Sequence, residues 1–384
     1  MRFEFATATR ILFGPGTLRE VAPAASGMGK RALVVTGRNS SRAAGLLDSL
    51  TSVGLQHISF AVAGEPTTNL VQSGAELARS EFVELVIAIG GGSVIDAGKA
   101  IAALATNSGA LLDYLEVIGR GRALENPPLP FIAIPTTAGT GAEVTRNAVL
   151  ASPEHRVKVS LRSPLMLPQL AVIDPELALG LPAALTASTG MDALTQLIEP
   201  FVSCRANPLT DGLCREGIVR AARSIRRACE HMDDLDAREG MAAASLFSGL
   251  ALANAGLGVV HGFAAPIGGM FPAPHGAVCA ALLPHAMDIN LRALRLRQPD
   301  SAVLQRFTEI ARLLTRNPDA TADDGVSWLR QLCADLKIPS LGTYGILPDD
   351  VAALCDKAAQ ASSMKGNPLV LTPDELREIL KCAL

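Results

Sequence analysis

The most informative stretch of the chain is Leu85-Val86-Ile87-Ala88-Ile89, followed by Gly90-Gly91-Gly92-Ser93 and then Val94-Ile95-Asp96-Ala97-Gly98-Lys99. Five consecutive apolar residues, β-branched at three positions and cut off by glycines, read as a strand buried on both faces. A helix follows the glycine turn. Working outward, the pattern recurs. Arg31-Ala32-Leu33-Val34-Val35-Thr36 reads as a strand ending at Gly37, Phe131-Ile132-Ala133-Ile134 as one ending at Pro135-Thr136-Thr137, and Leu170-Ala171-Val172-Ile173 stops at Asp174-Pro175. Between the first two strands a helix is expected around Leu70 to Ser80. Apolar strands separated by helices predict a parallel sheet with crossover helices.

Past Leu181-Pro182 the strand signals nearly vanish. Helical periodicity runs through Asp211 to Glu230, Ala302 to Leu314, Ser327 to Leu336, Pro348 to Ala361 and Thr372 to Leu380. The expected organisation is an α/β N-terminal domain over residues 1–182 and an all-α C-terminal domain over residues 183–384. Two or three domains suit a chain of 384 residues, at roughly 150 residues each. With 49% hydrophobic and 18% charged residues, the composition excludes a disordered chain. A net charge of −3 and 4% aromatics argue against a nucleic-acid partner. Gly240 to Met287 contains no Asp, Glu, Lys or Arg and is long enough to span a bilayer. Its eight glycines, four prolines and three histidines read better as a buried helical core beside a polar site, so no membrane partner is expected. Seven cysteines without C-x-x-C spacing suggest a reducing compartment, and Met1-Arg2-Phe3-Glu4-Phe5 has no apolar signal core; a cytoplasmic location is expected.

Open α/β sheets bind ligands beyond the carboxyl ends of their strands. At one such end, Gly91, Gly92 and Ser93 offer free backbone and a hydroxyl at a helix N-terminus, a setting that suits a diphosphate. At the next, Thr136, Thr137, Thr140 and Thr145 offer hydroxyls around Gly139 and Gly141. Each loop also fits a plain reading, a tight strand–helix turn or a polar helix cap. The G-x-G-x-x-G fingerprint is missing after the first strand, where Gly37-Arg38-Asn39-Ser40-Ser41-Arg42 stands. No acid is there to take a ribose 2′-hydroxyl. The two arginines favour a 2′-phosphate, or else form a solvated loop.

A second constellation lies in the helical half. Asp192 and Gln196 are four apart and share a helix face. His261 and His275 fall in the uncharged segment. One carboxylate and two imidazoles suit a divalent metal with a position left for substrate, and Gln196 would be a weak fourth ligand at best. Hydrogen-bonded core histidines and a helix-capping aspartate are the plain alternative.

Together these segments resemble the iron-containing (group III) alcohol dehydrogenase family, which shares its architecture with dehydroquinate synthases. The resemblance runs from Arg10-Ile11-Leu12-Phe13-Gly14-Pro15-Gly16 through Glu65-Pro66-Thr67, Gly90-Gly91-Gly92-Ser93, Pro135-Thr136-Thr137-Ala138-Gly139-Thr140, Asp174-Pro175-Glu176-Leu177, Gly190-Met191-Asp192-Ala193-Leu194, Pro274-His275-Gly276 and Leu283-Pro284-His285 to Asn367-Pro368. It implies a nucleotide-binding α/β domain followed by a helical domain, with the nicotinamide facing a metal held by the latter. It further implies that Gly91, Gly92 and Ser93 hold the diphosphate, that Thr136, Thr137, Thr140, Thr145 and Lys158 line the cofactor with Gly37 at the first strand end, and that Asp192, His261 and His275 hold the metal. Two positions depart from the family: Gln196 replaces a ligating His, and Ala265 replaces a His near the substrate. The implied activity is NAD- or NADP-dependent alcohol oxidation or carbonyl reduction at a divalent metal, Fe or Zn. A homodimer or higher homo-oligomer is expected on general grounds, as for most soluble enzymes. The uncharged lining suits a small neutral alcohol or aldehyde. The main rival is a metal-independent reductase of a small oxo or unsaturated acid, as in maleylacetate reductases. A dehydroquinate synthase would want a basic pocket, which Gly240 to Met287 does not supply. A cofactor-binding protein without turnover is the remaining alternative.

Overall fold

The computed structural model describes residues 2–155 and 157–384. By their contacts these fall into two compact units: Ala6–Thr137 with Gly141–Leu179, and Gly180–Leu384 with Ala138–Thr140 and the N-terminal residues up to Phe5.

The first unit is built on eight strands among the described residues: β1 (Arg10–Phe13), β2 (Arg31–Gly37), β3 (Gln56–Val62), β4 (Leu85–Gly90), β5 (Phe131–Pro135), β6 (Asn147–Ser152), β7 (Val157–Arg162) and β8 (Leu170–Ile173). Six of them form a parallel sheet in the order β1-β8-β5-β4-β2-β3. Helices α1 (Val21–Ser26), α2 (Ala44–Ser52), α3 (Thr68–Ser80), α4 (Gly92–Thr106) and α5 (Leu111–Tyr114) accompany it. Every residue of β4 and β5 is buried. Alternate residues feed two cores: Val86, Ala88, Phe131 and Ala133 pack in one, and Leu85, Ile87, Ile132 and Ile134 in the other. A sheet covered on both faces needs apolar side chains at every position, which is why these strands are unbroken apolar runs. The two edge strands, β1 and β3, are half exposed and carry Arg10, Gln56, His57 and Ser59; neither was expected from the sequence. β6 and β7 form a separate antiparallel pair, also unforeseen.

The second unit contains α6 (Ala183–Val202), α7 (Pro208–Glu230), α8 (Leu235–Ala255), α9 (Val259–Met270), α10 (His275–Arg297), α11 (Val303–Thr315), α12 (Ala322–Asp335), α13 (Val351–Gln360) and α14 (Pro373–Ala383), and no strand among the described residues. α6 is its central element, packed against α7, α8 and α10, and most of its residues are buried. Gly240 to Met287 spans most of α8, all of α9 and the first half of α10. No single described helix is long and apolar enough to cross a membrane; α8 and α9 pass that test only as a pair, and they meet at a 99° bend. All seven cysteines are free.

Candidate functional site

Three of the sequence-chosen loops are neighbours in the α/β unit because their strands are. β2 pairs with β4 and β4 with β5, so Gly37, Gly91–Ser93 and Thr136–Thr137 sit at the carboxyl ends of adjacent strands. The Thr136 N–H donates to Gly90 O at 2.9 Å. A Cβ on Gly91 would lie 3.5 Å from Thr137 Oγ1, so the two loops touch. Gly90 has a different duty. A Cβ there would lie 2.6 Å from Val94, so glycine lets the first turn of α4 close onto the strand. α4 begins at Gly92 with no side-chain cap, leaving its first N–H groups available.

Thr145 is placed differently. Its hydroxyl is buried and accepts from Lys99 Nζ at 2.9 Å. Lys99, itself buried, also donates to Ala142 O at 2.9 Å and pairs with Asp96 at 3.2 Å. Burial lowers the Lys99 pKa, against the pull of Asp96, and raises that of Asp96. Lys158 lies on β7, paired with Glu65 at 3.0 Å. Thr140 belongs to the short segment that groups with the helical unit. Arg38 donates to Ala63 O at 3.2 Å and Arg42 to Leu177 O at 2.6 Å.

In the helical unit the folding brings Asp192, His261 and His275 together, and adds Cys279: one ligating atom from each lies within 4.8 Å of all the others. Asp192 projects from the middle of α6, so it caps nothing. His261 is the third residue of α9, whose start is fixed by side chains: Asn367 Oδ1 accepts from Val259 N at 3.2 Å and Glu199 Oε1 from Val260 N at 2.7 Å. His275 opens α10. A Cβ on the next residue, Gly276, would lie 2.3 Å from Ser188 O, so glycine lets α10 abut α6 one turn before Asp192.

Asp192 Oδ1 stands 3.3 Å from His261 Nε2 and 3.7 Å from His275 Nε2. It is buried and has no hydrogen-bond partner among the described residues. His261 Nδ1 meets Glu199 Oε2 at 2.7 Å. That contact holds the ring so that Nε2 is turned toward Asp192. Burial pulls the His261 and His275 imidazoles down, but the negative charges facing them, chiefly Cys279 with Glu199 or Asp192, outweigh it; His261 is held well above its ordinary value and His275 above its own. Burial pushes Asp192 up, yet His275, His261 and Gln196 leave it below the ordinary carboxylate value. The cluster thus gathers one carboxylate oxygen, two imidazole nitrogens and one sulfur around a buried centre. The donor set fits a divalent metal: an ion bound at about 2.0–2.1 Å in tetrahedral geometry sets N and O donors about 3.3–3.4 Å apart. Gln196 Oε1 accepts from Ser248 Oγ at 3.2 Å, and the Gln196 side chain also hydrogen-bonds Asp192.

Sequence reasoning passed over Glu199 and Cys279. Both carry a helical signal: Glu199 is seven after Asp192 and Cys279 four after His275, each on the face of its neighbour.

Residues 8–175 match the profile of a family described as iron-containing alcohol dehydrogenase, and residues 186–384 that of its C-terminal domain. A 1,3-propanediol dehydrogenase of Citrobacter freundii is 35% identical, over 99% of this chain and 98% of its own length. The crystal structure of a 1,3-propanediol oxidoreductase superposes with a TM-score of 0.93 at 34% identity, covering 100% of both chains. A sulfoacetaldehyde reductase from Bifidobacterium kashiwanohense, solved with NAD+, superposes at 0.87 with 28% identity, covering 100% of this chain and 99% of the other.

Proposed function

The chain belongs to the iron-containing alcohol dehydrogenase family, whose members use a nicotinamide dinucleotide and a divalent metal, and is an oxidoreductase acting on alcohol donors; we propose that its helical unit holds the metal on Asp192, His261 and His275 while its α/β unit holds the dinucleotide. The observation that carries this reading is Asp192 Oδ1, a buried carboxylate oxygen with no hydrogen-bond partner among the described residues, faced by two imidazole nitrogens. A bound metal would act there as a Lewis acid that lowers the pKa of the substrate hydroxyl. Glu199 holds the His261 ring in one orientation. Gly91, Gly92 and Ser93 receive the diphosphate on the N–H groups that open α4, and Thr136 and Thr137 offer hydroxyls beside it. Gly37 leaves room at the end of β2; Thr140, Thr145 and Lys158 complete the cofactor set by family resemblance. Arg38 and Arg42 donate to neutral carbonyls. Their charges stay uncompensated by those bonds, which supports acceptance of NADP as well as NAD.

The substrate class that fits is a small neutral alcohol, since Gly240 to Met287, which supplies both histidines, has no charged residue to hold an acid. No observation favours a metal-independent reductase of oxo acids. The free cysteines support a reducing, cytoplasmic setting, and a homodimer or higher homo-oligomer is the proposed assembly. Nucleic-acid and membrane partners are not part of this proposal. In the reaction a hydride leaves the carbinol carbon for the nicotinamide and the hydroxyl proton leaves to solvent. Neutral and acidic alcohols deuterated at the carbinol carbon test it. Deuterium should appear in the reduced cofactor, with neutral alcohols preferred. Deuterium released to water would overturn hydride transfer.

A further inference from the structure

Building on the metal reading above, we propose that Cys279 is a fourth protein ligand, and that this chain thereby holds zinc in an Asp-His-His-Cys site that the substrate oxygen would join as a fifth donor. Gln196 stands on α6 four residues after Asp192, where the family resemblance expects a ligating histidine. Its amide oxygen accepts from Ser248 and its side chain also bonds Asp192, so it is engaged as a neutral hydrogen-bonding group. Cys279, one turn into α10 and fully buried, brings its sulfur 3.8 Å from His261 Nε2 and 3.7 Å from His275 Nε2. A tetrahedral ion bound at about 2.3 Å to sulfur and about 2.1 Å to nitrogen sets those donors about 3.6 Å apart. The sulfur therefore already sits near a coordination vertex, facing the same centre as Asp192 Oδ1.

Charge points the same way. Binding a dication would displace the Cys279 proton, and the resulting thiolate together with Asp192 would balance its charge. A thiolate is also a soft donor and selects zinc over harder cations.

The test uses the purified chain, stripped of metal by chelation and reloaded with one equivalent of cobalt(II) or zinc(II). Cobalt-loaded protein should show a near-ultraviolet thiolate-to-cobalt charge-transfer band. The band should vanish in Cys279→Ser and persist in Gln196→Leu. X-ray absorption on zinc-loaded unaltered protein should find one sulfur at about 2.3 Å, a reading that does not depend on how the variants fold. Zinc affinity should fall at least about tenfold in Cys279→Ser, since losing even a supporting partner of a ligand costs roughly 10–100-fold. One bound cobalt with ligand-field bands but no charge-transfer band, and a zinc shell without sulfur, would overturn Cys279 while leaving the three-ligand site intact. A band that survives in Cys279→Ser would likewise overturn it. No metal uptake by unaltered protein would overturn this proposal and the three-ligand reading together.

Discussion

Asp192 and Asp211 show how differently two buried carboxylates in the same unit are treated. Asp211 meets both guanidinium nitrogens of Arg306, at 2.6 and 2.7 Å. Asp192 faces two imidazoles and a thiol instead. A carboxylate left so in a buried site is expensive unless a cation joins it. Glu199 serves the same centre from one shell out, binding the start of α9 with one oxygen and His261 with the other. Replacing Glu199 by Gln removes the charge and leaves one acceptor for two donors. Zinc affinity is expected to drop roughly 10–100-fold, as for other histidine-orienting carboxylates. Competition with a chromophoric chelator measures this, and an unchanged affinity would deny Glu199 its positioning role. At this scale the sequence was partly readable. Asp192, His261 and His275 could be named through the resemblance. Glu199 and Cys279 carry only a spacing signal, because a carboxylate or thiol on an apolar helix face has no meaning until the partner helix is placed.

The elements divide by how completely they are covered. β2, β4, β5 and β8 were legible as uninterrupted apolar runs because the sheet is sandwiched between two cores. β1 and β3 were not, because an edge strand mixes polar with apolar residues. β7 could have been found: Val157-Lys158-Val159-Ser160-Leu161-Arg162 alternates strictly, as a half-buried strand should. The 3-10 turn Ala142–Val144 is bolted to α4 through Lys99, and it buries Glu143 nearby. Burial pushes the Glu143 carboxyl up to about 7, from an ordinary value of 4.5, against the pull of Lys99. Below the ordinary value the group is neutral whether folded or unfolded. As pH rises through that value the unfolded chain ionises while the folded one keeps its proton, so stability falls until about pH 7 and then levels. Glu143→Gln should therefore match the unaltered protein in stability at low pH. It should exceed it by on the order of 3 kcal/mol above neutrality. Denaturant titrations at several pH values measure the gap; one that does not change with pH would refute the buried acid.

At the scale of the molecule, two differently built units share one chain: a parallel sheet whose strand ends collect glycines and threonines, and a helical body whose uncharged segment carries two histidines to a lone aspartate. The change of character at Leu181-Pro182 was legible because periodicity itself changes there. The grouping of Ala138–Thr140 with the helical unit was not, since such contacts leave no periodic trace. The central claim is that Asp192, His261 and His275 hold a metal that alcohol oxidation requires. Its most direct measurement is turnover in protein stripped of metal and then given one equivalent back, with dinucleotide binding followed in parallel. Turnover should be lost on stripping, return in unaltered protein and stay absent in His261→Ala, while both bind the dinucleotide. Undiminished turnover in the stripped protein, or an unchanged turnover number in His261→Ala, would contradict it.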